Sequence, residues 1–209
     1  MKITTIESGP MGANCYIAET PTAAVIIDPG FVTAQLEEYS IKQKSVVKAV
    51  LLTHRHADHI SAVPWLAELF DVPIFVHQQD SQCLFDASVS LANLMPQYEF
   101  EPVKRGRERC VNDGDLLVFG DIKIEVLHTP GHTSGGVCYK IDDKIFSGDT
   151  LFMGSVGRTD LPTGDFSQLK KSLARLSMLS QDCEVYPGHG PMTRLSVEKK
   201  HNPYFSEKQ

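Results

Sequence analysis

Short strand-like segments alternate with amphipathic helix-like segments along both halves of the chain, and this alternation restricts the folds that it can adopt. Ten runs of β-branched or apolar residues bounded by turn residues predict strands. Four segments with apolar residues every three or four positions predict helices with one apolar face each. The predicted strands are Lys2–Glu7, Asn14–Glu19, Ala23–Asp28, Val46–Thr53, Pro73–His77, Leu116–Phe119, Ile122–Leu127, Val137–Ile141, Lys144–Ser147 and Cys183–Tyr186. The predicted helices are Thr33–Gln43, Ser61–Phe70, Gln79–Met95 and Phe166–Leu179, the last with Asp165 as its N-cap.

Two strand pairs are joined by the two-residue links Gly120-Asp121 and Asp142-Asp143, which are typical of tight hairpins and predict antiparallel neighbours. Because each helix has only one apolar face, the helices must cover the outer faces of packed sheets. We therefore predict an α/β fold, an αββα four-layer sandwich. The 209 residues fit one domain over residues 1–209, since domains commonly contain about 100 to 200 residues.

The composition argues against several classes of protein. No apolar run approaches the roughly 20 residues that a membrane-spanning helix needs. A net charge of −6 disfavours a chain that neutralises nucleic-acid phosphates. Five cysteines without a CxxC pair indicate reduced thiols, and the first residues lack the apolar core of a secretory signal. We expect a cytoplasmic protein that binds neither membranes nor nucleic acid.

The strongest chemical signal is the sequence HRHADH at residues 54–59, between an apolar strand and a predicted helix. From the loop after the strand, His54 and His56 can project toward one ion. Asp58 and His59 enter the helix and can face a second ion a few Å away. Imidazole and carboxylate groups are the ligands that zinc and ferrous iron accept. A solvated polar loop is the alternative interpretation.

Three further candidates follow predicted strands in the second half of the chain. His132 lies in the sequence PGH, Asp149 in SGD and His189 in PGHG. A neighbouring glycine lets the backbone turn sharply and approach an ion closely. Asp28, in IDPG, could orient a histidine ligand from behind, or it could be an ordinary turn residue.

In this order, HRHADH, PGH, SGD and PGHG resemble the metallo-β-lactamase superfamily over about residues 14 to 194. The resemblance implies the αββα sandwich and a site for two divalent metal ions, with zinc expected and iron or manganese as alternatives. It implies the following ligands: His54, His56 and His132 on one metal, Asp58, His59 and His189 on the other, and Asp149 bridging the two.

Within this superfamily, VLHTPGHTSGGVCY and FSGDTLFMGSVGRTDLP are most similar to the hydroxyacylglutathione hydrolases, or type II glyoxalases, in their short bacterial form. That similarity implies hydrolysis of a thioester such as S-lactoylglutathione to a hydroxy acid and glutathione. Zinc lowers the pKa of bound water from about 15.7 to about 7, so that a bridging hydroxide can attack without a protein nucleophile. Asp58 is expected to accept or orient the hydroxide proton.

Arg158 is the candidate for binding a carboxylate of the glutathione-linked substrate, because it lies nine residues after Asp149 in a glycine-rich loop. The alternative is an internal salt bridge with Asp160 or Asp165 that only holds the loop. The sequence GRTD in this loop also resembles the persulfide dioxygenases, which use one iron ion. A lactone, β-lactam or phosphoester hydrolase and a non-catalytic metal-binding module remain further alternatives.

Overall fold

The computed structural model describes residues 1–43, 46–95 and 98–205. Within these ranges twelve strands form two six-stranded sheets. The strands are β1 (Lys2–Ser8), β2 (Ala13–Glu19), β3 (Ala24–Ile27), β4 (Val47–Leu51), β5 (Ile74–His77), β6 (Glu108–Val111), β7 (Leu116–Phe119), β8 (Ile122–His128), β9 (Val137–Ile141), β10 (Lys144–Gly148), β11 (Glu184–Pro187) and β12 (Thr193–Arg194). The helices are α1 (Ala34–Lys42), α2 (Ala57–Ile60), α3 (Val63–Phe70), α4 (Phe166–Ser177) and α5 (Leu195–His201), with short 3-10 helices at Ser81–Leu84 and Ala92–Leu94.

The N-terminal sheet has the order β1-β2-β3-β4-β5-β6, and the C-terminal sheet has the order β12-β11-β10-β9-β8-β7. Strands β3 to β6 run parallel to one another, and β10 and β11 form the parallel pair of the C-terminal sheet. Both predicted hairpins are confirmed, since β7 pairs antiparallel with β8 and β9 with β10.

Three apolar clusters define four layers. Leu36 of α1 and Leu66 of α3 pack in a cluster with strands of the N-terminal sheet. Leu169 of α4 packs in a second cluster with the C-terminal sheet. The central cluster draws on both sheets and includes Ile27, Leu51, Val126, Tyr139 and Phe146. The predicted αββα sandwich is therefore confirmed. In the ranges that the structure describes, no helix is long and apolar enough to cross a membrane.

The helix predicted over Gln79–Met95 is wrong, because this segment contains only two separate 3-10 turns. The carboxylate of Asp86 accepts hydrogen bonds from the backbone N–H and the hydroxyl of Ser88, at 2.8 and 2.7 Å. Such local bonds compete with helical backbone bonds. Leu91 has a left-handed φ of 62°, which ends any regular helix at that point.

Two strands and one helix were not predicted. Strand β6 is an edge strand with charged residues, which disfavour pairing with other chains. The same residues interrupt the apolar alternation by which a strand is recognised in a sequence. Strand β12 has two residues and depends on its neighbour β11. Helix α5 follows directly and buries Leu195 and Glu198. These elements are defined by long-range partners more than by local sequence.

Candidate metal centre

Seven histidine and aspartate side chains meet where strands of both sheets end. The loops after β4, β8, β10 and β11, together with helix α2, carry them: His54, His56, Asp58, His59, His132, Asp149 and His189. Hydrogen bonds join the two sheets near this edge. The Val137 N–H donates to the carbonyl of Thr53 at 2.8 Å, and the Tyr139 hydroxyl donates to the carbonyl of Leu52 at 3.0 Å. The loops are therefore held close together by both sheets.

The first group consists of His54, His56 and His132, which are all buried. One ring nitrogen from each lies within 4.8 Å of the other two. Nε2 of His132 is 2.8 Å from Nδ1 of His56. Three imidazoles that point their nitrogens at one small volume match a metal-ligand set.

The second group consists of Asp58, His59 and His189, whose donor atoms also lie within 4.8 Å of one another. Nε2 of His59 is 3.2 Å from Nε2 of His189. Oδ2 of Asp58 is 3.3 Å from Nε2 of His189 and 3.5 Å from Nε2 of His59. This group therefore combines two imidazoles with one carboxylate.

Asp149 reaches both groups. Its Oδ2 is 3.4 Å from Nε2 of His132, in the first group, and 3.8 Å from Nε2 of His189, in the second. Its Oδ1 is 3.5 Å from Nε2 of His59. The structure thus brings together all seven residues that the sequence singled out, and their role as metal ligands remains a prediction.

Backbone carbonyls orient two of the histidines. Nδ1 of His132 lies 2.7 Å from the carbonyl oxygen of Arg158, and Nδ1 of His189 lies 3.1 Å from that of Met11. A carbonyl can only accept, so Nδ1 is the donor in each pair, and Nε2 is the nitrogen left to face a metal. Both Nε2 atoms face the interior of the site.

Asp28 and Thr53 orient two other histidines. Oδ2 of Asp28 lies 3.2 Å from Nδ1 of His59 and accepts the Thr53 hydroxyl at 2.5 Å. Oγ1 of Thr53 in turn lies 3.0 Å from Nδ1 of His54. Asp28 also lies within ligand distance of His54 and His59, but its bonds to Thr53 and to Nδ1 of His59 make it a support for ligands. The orienting role considered for Asp28 is thus the one its contacts favour.

Electrostatics separate the two groups. Burial lowers the pKa of His54 well below its ordinary value, and burial with the neighbouring His132 lowers the pKa of His56 to about 3. Burial also lowers the pKa of His59, but the charges of Asp58 and Asp149 outweigh it and raise this pKa to about 10. The negative charge that holds a proton on His59 would also hold a cation.

The residues present fit a metal pair on two observations. Buried His54 Nε2 and Asp149 Oδ1 have no hydrogen-bond partner among the described residues, a costly state that a bound cation would relieve. Gly188 leaves the space free, since a Cβ at this position would lie 2.1 Å from Oδ1 of Asp149 and 2.8 Å from Cε1 of His59. Neutral imidazoles with carboxylates are donors for zinc, iron or manganese.

A cleft of about 620 Å³ opens above the site and has Asp58, His132 and Asp149 in its lining. Arg158 also lines this cleft. Its guanidinium binds the carboxylate of Asp160 at two points, with Nε to Oδ1 at 2.6 Å and Nη2 to Oδ2 at 2.7 Å. Arg158 thus lies at the cleft as predicted, and it also makes the internal salt bridge that was the alternative.

Sequence reasoning missed the supporting roles of Thr53 and of the Met11 and Arg158 carbonyls. It also missed the contribution of the segment around Leu91 to the cleft, because this segment was predicted to be helical. A backbone carbonyl carries no residue-specific signal. Thr53 could have been found from its position beside His54.

A family model described as the metallo-beta-lactamase superfamily matches residues 8–189. The chain belongs to this superfamily. It is a metallo-hydrolase, a metal-dependent enzyme, and its histidine and aspartate clusters are the candidate metal sites.

Two curated relatives align along nearly the whole chain. A "probable metallo-hydrolase" of Bacillus subtilis is 36% identical, with 99% of this chain and 98% of the relative aligned. A hydroxyacylglutathione hydrolase of Haemophilus influenzae is 34% identical, with 93% of each chain aligned.

Two solved structures have the same fold along almost their full length. The B3 metallo-β-lactamase BLEG-1 has a TM-score of 0.90 at 32% identity, covering 98% of this chain and 100% of its own. The protein TTHA1623, solved in a di-iron-bound form, has a TM-score of 0.85 at 37% identity, covering 96% and 99%.

Proposed function

We propose that the chain hydrolyses a small-molecule thioester such as S-lactoylglutathione, producing a hydroxy acid and glutathione. The observation that carries this proposal is the pair of ligand groups with Asp149 between them, on the floor of an open cleft. Similarity to the hydroxyacylglutathione hydrolase of Haemophilus influenzae supports a glutathione-linked thioester as the substrate.

Two divalent metal ions would occupy the site, and zinc is the metal we expect, with iron or manganese as alternatives. Likeness to a di-iron protein supports a two-metal site and keeps iron among the candidates. When bound, such a pair polarises the scissile carbonyl and supplies an activated water at neutral pH. The residues that would hold it are His54, His56 and His132 on one side, Asp58, His59 and His189 on the other, and Asp149 between them.

Asp58 is the catalytic residue in this proposal. Burial raises its pKa, but the charge of His59 and a hydrogen bond from His189 outweigh this effect and keep the pKa below its ordinary value. The ionised carboxylate would accept a hydrogen bond from the attacking water and orient it toward the carbonyl carbon. The carbon–oxygen bond would form as the water proton passes to the Asp58 carboxylate, the carbon–sulfur bond would break, and the sulfur would leave as a thiolate.

A protein nucleophile is not required. Among the described residues that line the cleft there is no cysteine, and the hydroxyl of the lining Ser90 donates to the carbonyl of Ala87 at 3.2 Å. Among the described residues, the Ser90 hydroxyl makes no hydrogen bond to a base of the kind that activates a serine.

One sample tests the proposal when three measurements are made on it: metal content by elemental analysis, hydrolysis of S-lactoylglutathione, and oxygen consumption with glutathione persulfide. We expect two metal ions per chain, thioester hydrolysis and no oxygen uptake. One iron per chain with persulfide-dependent oxygen uptake would instead identify a dioxygenase. Preferential cleavage of a β-lactam or a lactone would identify another hydrolase of the superfamily.

A further inference from the structure

Apolar side chains dominate the walls of the cleft outside the ligand groups. Met11, Leu91, Leu94, Met95 and Phe152 line it, and we call these five residues the apolar wall. Leu94 is 67% exposed and Met11 is 53% exposed. Exposed apolar surface that continues into a polar site is typical of a surface that binds a ligand.

One part of the apolar wall is fixed to the ligand helix. The Ala57 N–H, at the start of α2, donates to the carbonyl of Ser90 at 2.8 Å. The next residue, Leu91, has a φ of 62°, which a bulky side chain rarely adopts. Such strain persists only where the surroundings hold it, and it is common at functional sites. Leu91 is therefore held in the wall beside the helix that carries Asp58.

A second part of the apolar wall is fixed by helix α5 and the residue that caps it. Buried Asn202 donates to the carbonyls of Ser155 at 3.0 Å and Phe152 at 3.4 Å, and buried Glu198 accepts the Gly154 N–H at 2.8 Å. These bonds hold the turn that begins at Phe152. The ring centroid of Phe152 lies 6.2 Å from that of His189. The wall is thus preformed next to the second ligand group.

The two ends of the cleft differ in chemistry. Arg158 lies at the His132 end, because its backbone carbonyl is hydrogen-bonded to Nδ1 of His132. Met11 and Phe152 belong to the His189 end. Among the described residues that line the cleft, Arg158 carries the one guanidinium or ammonium group, and Asp160 already binds it. The His189 end therefore offers a substrate apolar contact and no fixed cation.

On the basis of the proposed thioester hydrolysis, we infer that the apolar wall binds the acyl chain of the substrate and selects acyl chains of several carbon atoms. The thiol part then extends toward the Arg158 end. A scissile carbonyl above the ligand groups has its two substituents on opposite sides, and the side with Met11 and Phe152 offers apolar contact without a cation.

A series of acyl-glutathione thioesters from acetyl to hexanoyl tests this inference through kcat/KM. Each fully buried methylene contributes about fourfold. Because the cleft is open to solvent, we expect a total rise of at least tenfold from acetyl to hexanoyl. A change within twofold across the series would overturn the inference while leaving thioester hydrolysis intact. Acetyl thioesters of alkyl thiols give the converse series. If their kcat/KM rises with the length of the alkyl thiol, the inference is overturned as well.

Phe152→Ala should reduce the hexanoyl-to-acetyl ratio at least fivefold. The matched control is Met153→Ala, because Met153 is the neighbouring apolar residue, is 53% exposed and does not line the cleft. We expect this control to keep the parent ratio. Equal loss of the ratio in both variants would overturn the assignment of the wall.

Binding of unreactive S-alkylglutathiones separates this inference from the proposed function. Calorimetry should give an at least tenfold lower Kd for S-hexylglutathione than for S-methylglutathione, and Phe152→Ala should remove most of the difference. Preferential binding without hydrolysis of any thioester would reject the proposed function and support the apolar site. Equal affinities would reject the apolar site.

Discussion

Oδ2 of Asp28 lies 3.2 Å from Nδ1 of His59, whereas Nε2 of the same ring approaches Asp58, Asp149 and His189. The same carboxylate accepts the backbone N–H of Thr53 at 2.7 Å through Oδ1 and the Thr53 hydroxyl through Oδ2. One buried carboxylate therefore fixes the direction in which Nε2 of His59 points. Groups that orient a ligand in this way typically change metal affinity when they are removed.

Asp28→Asn should weaken metal binding by about 10- to 100-fold. The new amide can donate to Nδ1 of His59, which would transfer the ring proton to Nε2, the nitrogen needed for a metal. Competition with a chromophoric chelator measures the affinity, and circular dichroism checks the fold. Asp121→Asn is a charge-matched control, since Asp121 is exposed in the β7–β8 link and binds Thr20 and Thr22. Unchanged affinity in Asp28→Asn would contradict the orienting role.

Asp58→Ala should remove nearly all hydrolysis while the fold of the metal-free protein remains largely intact. Asp58 contacts His59 and His189 in the site, and it is absent from the apolar clusters that stabilise the sandwich. kcat/KM, metal content and the melting temperature of the metal-free form are the measurements. Activity within tenfold of the parent in fully metallated protein would disprove the assignment of Asp58.

Gly188→Ala should prevent full metal loading because its methyl group would collide with Oδ1 of Asp149 and Cε1 of His59. Gly190→Ala is the matched control: among the described residues beyond its two neighbours, no atom lies within 4 Å of the added methyl group, although φ is 74°. The control should lose about 1 kcal/mol of stability from backbone strain and keep its metals. Elemental analysis after dialysis distinguishes the two variants, and equal metal content would show that the site tolerates the added group.

Arg158→Ala should raise KM for glutathione thioesters by roughly 10-fold or more with little change in kcat, since a charged hydrogen bond contributes about 1.5 to 3 kcal/mol. The salt bridge with Asp160 provides the control. Asp160→Asn frees the guanidinium, so it should leave KM unchanged or lower it. If Arg158 only holds its loop, the two variants will instead behave alike and will affect uncharged thioesters as strongly as glutathione thioesters.

Much of this protein could be predicted from its sequence because the signals are local. Hairpin links, strand alternation and the N-cap Asp165 involve residues close together along the chain, and the side chain of Asp165 accepts the Gln168 N–H at 3.0 Å as expected. Four ligand candidates were recognisable because they cluster in HRHADH, and the other three because each follows a predicted strand beside a glycine. Residue type and position in the sequence were enough to select them as candidates.

The tertiary structure decided which groups hydrogen-bond and orient those residues. His132 and His189 depend on backbone carbonyls of Arg158 and Met11, which are 26 and 178 residues away along the chain. The sequence around Leu91 is compatible with a helix, yet its polar side chains bond locally and its backbone joins α2. Local periodicity reports which face of a segment is apolar. It does not report which distant segment will pack against that face, or which distant histidine a backbone carbonyl will contact, once the sheets pack.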